Sequence, residues 1–206
     1  MASTQLGAGT VTLTGASSGS ATLQSTDATT TTITLPSVTS TLYGNAGTTI
    51  TSGTAQASTS GTSIDFTGIP SWAKRVTVIF NAVSTAGSLP QLQVGSTSYV
   101  TTGYAAQSVY IASINTYGIG TILTTGIPVS TYASATDTVS GTITLTNISG
   151  NIWVATGVTY RSGTYQLTET ISSASITLSG ALDRIRVTTV NGTDAFDAGS
   201  INIFYE

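Results

Sequence analysis

The chain has no cysteine and no histidine. Without cysteine it has no disulfide and no thiolate metal site, so its stability must come from burial, backbone pairing and association. Without either residue it lacks the commonest general base and the best thiol nucleophile, which leaves carboxylates and hydroxyls as the agents for catalysis. Charge is scarce as well: 6% of residues, with a net charge of -3. The cations are Lys74, Arg75, Arg161, Arg184 and Arg186, and no charged residue falls between Val76 and Thr136. No basic patch exists for counterion-release binding, so nucleic acid is not an expected partner. No apolar run approaches the ~18 residues of a membrane span, and Met1–Leu6 shows neither the basic nor the apolar part of a secretion signal. These features predict a chain made in, and soluble in, a cytoplasm, with no membrane insertion.

What is present is β-forming. Hydrophobic residues reach 39% and mean hydropathy is +0.27, the opposite of the low hydrophobicity and high net charge of a disordered chain. Apolar residues alternate with Thr or Ser in Thr10–Thr14, Thr32–Leu35, Gly141–Thr146 and Ser175–Leu178, the period of half-buried strands. Val76–Val83 and much of Ile152–Val158 are apolar on both phases, which predicts central strands covered on both faces. Trp72 and Trp153, beside those strands, are expected to be buried. Asn147–Asn151 reads as a turn and Asn191-Gly192 as a type I′ hairpin. Pro70–Lys74 is the one stretch that predicts a helical turn. The fold class expected is all-β: an antiparallel β-sandwich or jelly-roll-like domain over residues 55–206, preceded by an extended β-rich arm over residues 1–54. The arm is Thr/Ser-rich with spaced cores at Val11–Leu13, Ala21–Leu23 and Ile33–Leu35. It has too few large apolar groups to fold alone, so backbone pairing with neighbouring subunits or other particle proteins is expected. A neutral surface of Thr, Ser, Asn and Gly gives copies little mutual repulsion, which predicts a homo-oligomer.

Ser18–Leu23, followed by Thr32–Pro36 and Ser40–Leu42, resembles the arm that precedes many bacteriophage tail-fibre head groups. Ile64–Phe80, with Asp65, Phe66, Pro70, Trp72, Lys74 and Arg75, is similar to a segment that recurs in phage fibre domains. Leu182–Val187 and Asp194–Ile203 are similar to the closing strands of those domains. These segments frame residues 55–206, and residues 84–136 lie outside the resemblance. The resemblance implies a virion protein with a β-structured head and trimeric assembly, and it supplies no catalytic residue to carry over. Such domains also occur as head fibres on capsids. The function expected is therefore a structural tail-fibre or tail-appendage subunit taking part in attachment to a cell-surface glycan, with a capsid decoration or head-fibre protein as the alternative. It is assembled in the host cytoplasm and located in the virion.

Enzymatic readings find little support in the residues. Ser71-Trp72-Ala73-Lys74 fits a serine-x-x-lysine pattern, but Ser-Asp-Asn and Lys-Thr-Gly companions are absent and the context is β. Glycoside hydrolysis needs two facing carboxylates, and the acids Asp27, Asp65, Asp137, Glu169, Asp183, Asp194, Asp197 and Glu206 form no cluster in sequence with aromatics and cations. Asp194 and Asp197 fall short of a calcium ligand set, so no metal and no cofactor is expected. Asp65 with Lys74 and Arg75, and Asp183 with Arg184 and Arg186, read as solvated or interfacial pairs. Asn147-Ile148-Ser149 and Asn191-Gly192-Thr193 mark turns and are not read as glycosylation sites in a phage protein. Binding has a better basis. Tyr99, Tyr104, Tyr110, Tyr117 and Tyr132 fall with Asn115 in or beside the charge-free middle, and Tyr with Asn, Ser and Gly makes adaptable contacts to a neutral glycan. These six are the expected ligand-binding residues.

Overall fold

The computed structural model describes residues 11–14, 20–23, 50–112, 117–118, 120–131, 133–163 and 168–206. They fall into two units, Met1–Leu42 and Tyr43–Glu206. In the first, β1 (Val11–Thr14) and β2 (Ser20–Leu23) form an antiparallel hairpin with Val11 opposite Leu23. Two of the three spaced cores of the arm are thus strands, and Ile33–Leu35 lies outside the described residues.

The second unit carries β3 (Thr51–Ser52), β4 (Gln56–Ala57), β5 (Ser63–Thr67), β6 (Arg75–Thr85), β7 (Pro90–Ser96) and β8 (Ser98–Tyr99). There follow β9 (Ala105–Ala112), β10 (Tyr117–Gly118), β11 (Ile122–Leu123), β12 (Ile127–Pro128) and β13 (Thr138–Ser149). The last four are β14 (Ile152–Ser162), β15 (Thr168–Thr177), β16 (Arg184–Thr189) and β17 (Phe196–Tyr205). A large sheet runs β10-β9-β15-β14-β13-β6-β17-β3, with β11 on β9 and β4 on β17. A small sheet runs β12-β7-β16-β5, with β8 on β7. Every pairing is antiparallel and the described residues contain no helix, so the all-β antiparallel expectation holds. Pro70–Lys74 is a β-turn, not a helical one, closed by Ala73 N–H to the Pro70 carbonyl at 2.9 Å. Thr51–Ser52 and Gln56–Ala57, on either side of the expected arm boundary, both pair with β17.

One buried cluster joins the inner faces of the two sheets. Val76, Val78 and Phe80 of β6, Ile143 and Leu145 of β13, and Ile201 and Ile203 of β17 come from the large sheet. Ile64 and Phe66 of β5, Leu92 and Val94 of β7, and Ile185 and Val187 of β16 come from the small one. Strand period two puts each set on one face, and each such side chain contributes roughly 1.5–3 kcal/mol on burial. At one end the core turns polar. The Thr159 hydroxyl donates to the Val129 carbonyl (2.5 Å), Ser172 donates to the Pro128 carbonyl (2.7 Å), and Arg161 pairs with Asp137. The two hydroxyl bonds fasten the segment around β12 over β14 and β15.

Four expectations are corrected. The second apolar phase of β6 and β14 is not covered, since Ile79 and Val154 are half-buried and Val158 is 52% exposed. The small sheet packs on one face of the large sheet only. Trp153 is buried as expected, but Trp72, carried on the turn, is exposed. Asn191-Gly192 makes no hairpin, because β16 and β17 belong to different sheets. Asn191 Oδ1 instead accepts the Thr193 and Asp194 amides in an Asx-type turn, and only Gly192 takes positive φ (71°). Asp65 pairs with Arg186 rather than with Lys74 or Arg75, because β5 and β16 are register partners.

Midway along β6, Ala82 has φ 51°, a conformation that disfavours a side chain. Here the register shifts against both β13 and β17. The Ala82 amide donates to Ser140 Oγ (2.9 Å), and Gly199 permits the close approach, since a Cβ there would stand 2.3 Å from the Ala82 carbonyl.

Candidate functional site

The alternation Ile201-Asn202-Ile203-Phe204 buries the isoleucines and turns Phe204 outward on the large sheet. Register then places Phe204 beside Thr77, and Thr77 beside Thr144. The two threonine hydroxyls hydrogen-bond at 3.2 Å. β3 pairs its Ser52 with Phe204 and brings exposed Ile50 to the same place. The result is a groove of about 190 Å³ lined by Ile50, Phe204, Thr77, Thr144, Tyr205, Arg75 and Glu206. Its end is closed by an Arg75–Glu206 ion pair, and backbone bonds between the same two residues hold that pair in place. Behind it the Tyr205 ring meets the ring of Trp72 at 5.7 Å, tilted by 53°.

The groove combines one apolar aromatic wall, two neutral hydroxyls and one internally neutralised charge pair. Such a lining can offer stacking and uncharged hydrogen bonding to a neutral ligand. Among the described residues no group of three or more metal-ligating side chains occurs.

Of the six sequence-predicted residues, Tyr99, Tyr104 and Tyr110 have described side chains, and these three stand in different places. Tyr104 is buried, and its hydroxyl accepts the Val94 amide (2.8 Å) and approaches the carbonyls of Val100 (3.0 Å) and Val94 (3.4 Å). Burial pushes its phenol up to about 12. Tyr99 lies on β8 of the small sheet beneath two guanidinium groups, Arg186 at 4.0 Å and Arg184 at 5.6 Å from the ring centre. Burial, then the neighbouring Asp65 carboxylate, push its phenol up. Both arginines are already held bidentately, Arg186 by Asp65 and Arg184 by Asp183. Bonding to Arg184 holds the Asp183 carboxyl below its usual range, and the carboxylate bonds raise both guanidinium groups. Tyr110 sits on β9 against Gly118, where a Cβ would stand 1.7 Å from its ring. Tyr117 stands on β10 opposite Ile111. Asn115 and Tyr132 lie outside the described residues.

The groove residues were missed because they come from four separate stretches that only strand pairing assembles. The outward phase of Phe204 is the one signal that the sequence offered. No protein-family model, no curated protein and no solved structure matches the chain.

Proposed function

We propose that the chain is a non-catalytic structural subunit of a bacteriophage particle, a tail-fibre or tail-appendage component that attaches to a neutral cell-surface glycan. The observation that carries the reading is the Phe204 groove, whose aromatic wall, paired threonine hydroxyls and neutralised ion pair suit a sugar ring. The likeness of Ile64–Phe80 and of Asp194–Ile203 to phage fibre segments supports the particle assignment. Four of the carboxylates, Asp65, Asp137, Asp183 and Glu206, are each paired with an arginine.

The test is binding of the purified chain to a printed array of bacterial surface polysaccharides. The wild type is expected to bind a subset of neutral glycans. Truncating a central aromatic contact typically costs 1 kcal/mol or more, so Phe204→Ala weakens binding by at least about fivefold. Phe204 is partly exposed, so circular dichroism should show an unchanged fold. Binding that Phe204→Ala leaves untouched refutes the groove, and no binding to any array member refutes the attachment reading.

A further inference from the structure

Diagonally across the large sheet from the groove, the outward side chains form a ridge. Val109 of β9, Ile171 of β15 and Val158 of β14 are direct register neighbours, and all three are exposed. One pleat further along, Ile111, Glu169 and Tyr160 stand in the same order, with both apolar members exposed. In the other direction the outward residues are polar or small: Gln107, Ser173 and Thr156, then Ala105, Ser175 and Val154. There the face sinks into a hollow of about 490 Å³ between Ala105, Ser173 and Ser175, walled on one side by Ile122, which is 77% exposed.

We infer that this half of the sheet is a self-association surface whose occupant is a second copy of the chain, the apolar ridge of one copy filling the hollow of the other. Three observations select a like partner. Ridge and hollow lie side by side on one face, so each copy offers both halves of the contact, which is what self-complementarity requires. Charge neither steers nor opposes the contact, because Glu169 is the one charged side chain on β9, β15 and β14 that faces this side, and it stands near the end of the ladder. The area fits a weak, reversible contact. Three strands (β9, β15 and β14) at ~4.8 Å spacing and ~10 residues at ~3.3 Å give a face of roughly 14 by 33 Å, about 470 Å² per copy. Two copies then bury about 950 Å², the low end of interface sizes. β13, β6 and β17, with Thr144 and Phe204, stay outside it.

Sedimentation equilibrium of the full chain at micromolar concentration tests this inference. The wild type is expected to be a dimer, the closed form of a self-complementary contact. Ile171→Glu, a substitution at an exposed position in the middle of the ridge, is expected to shift it to monomer while circular dichroism and melting remain those of a folded chain. Ile148→Glu serves as control, since it removes an equally apolar, exposed side chain from the bulged end of β13, outside the ridge, and it should leave the oligomer intact. A monomeric wild type overturns the inference. So does an oligomer that Ile171→Glu leaves unchanged, or one that Ile148→Glu dissociates equally. Because Phe204 lies outside the ridge, glycan binding by an Ile171→Glu monomer separates failure of this contact from failure of the attachment reading.

Discussion

Asp137→Ala should be the most damaging single substitution among the charged residues. The Asp137 and Arg161 side chains are 2% and 5% exposed, and the guanidinium also donates from Nε to Thr168 Oγ1 at 3.0 Å. Removing the carboxylate leaves a cation in the interior with its counter-ion gone, a change that costs about 3–5 kcal/mol. For a domain of this size each kcal/mol lowers the melting temperature by about 2–4 °C, so a drop of roughly 10 °C is expected. The Asp137→Ala/Arg161→Met double variant should recover most of the loss, because a pair of apolar groups of similar bulk requires no counter-ion. Urea unfolding followed by circular dichroism and tryptophan fluorescence reads both variants, with the m-value as the check that the transition stays two-state. Buried Trp153 lies on β14, the strand that carries Arg161. A loss below about 1 kcal/mol for Asp137→Ala, the range of exposed ion pairs, would refute the argument. So would a double variant no more stable than the single one.

Tyr104→Phe strands the buried Val94 amide and should cost about 1–3 kcal/mol in the same urea assay. The same phenol gives a pH test. Its pKa of about 12 in the fold exceeds the ~10 of an unfolded tyrosine, so the fold holds the proton longer. Stability is therefore unaffected by this group below pH ~10 and falls as pH rises through 12. Phenolate absorbance at 295 nm should show a tyrosine that ionises only with unfolding, and Tyr104→Phe should remove that component. Asp183 works in the opposite sense: its depressed carboxyl stabilises above the unfolded value of ~3.9, and that contribution disappears as pH falls below it. Asp183→Asn should accordingly flatten the acid melting curve slightly, and an unchanged curve contradicts the assignment. Ala82→Gly relieves a strained φ worth about 1 kcal/mol and adds a similar entropy cost. Its melting temperature should stay within about 2 °C of wild type, whereas Ala155→Gly in the buried run of β14 should melt clearly lower.

Strands were legible where apolar residues alternate with Thr or Ser in β1, in β13 and at the end of β15, because period two is a local property. The two-phase apolar strands misled for a reason outside the chain's local sequence: Val158 and Ile79 look like residues of a covered strand, and nothing in the sequence says what covers them. Trp72 misled in the same way, as its place beside the Val76 strand suggested burial while the turn carries it outward. Tyr99, Tyr104 and Tyr110 share a charge-free stretch but not a surface, because the fold disperses them to β8, to the core and to β9. Phe204, Thr77, Thr144 and Ile50 lie far apart in sequence and meet only across ladders. No pattern confined to one segment could have joined them.

The pairing of β17 with β6, which sets Val76 against Tyr205, also bears on how the chain reaches its fold. The strands of the central meander, β13 to β14 to β15, are joined through short connections and can zip locally. β6 and β17 must instead find each other across nearly the whole domain, as must β5 and β16. Pairings of such separation place folding in the slow range of roughly milliseconds to seconds. During that interval one edge of β6, eleven residues long and rich in Val, Ile and Phe, has unpaired amides and carbonyls. A nascent chain in this condition is a template for strand addition by its neighbours, so yield in recombinant expression should rise at low temperature and low chain concentration.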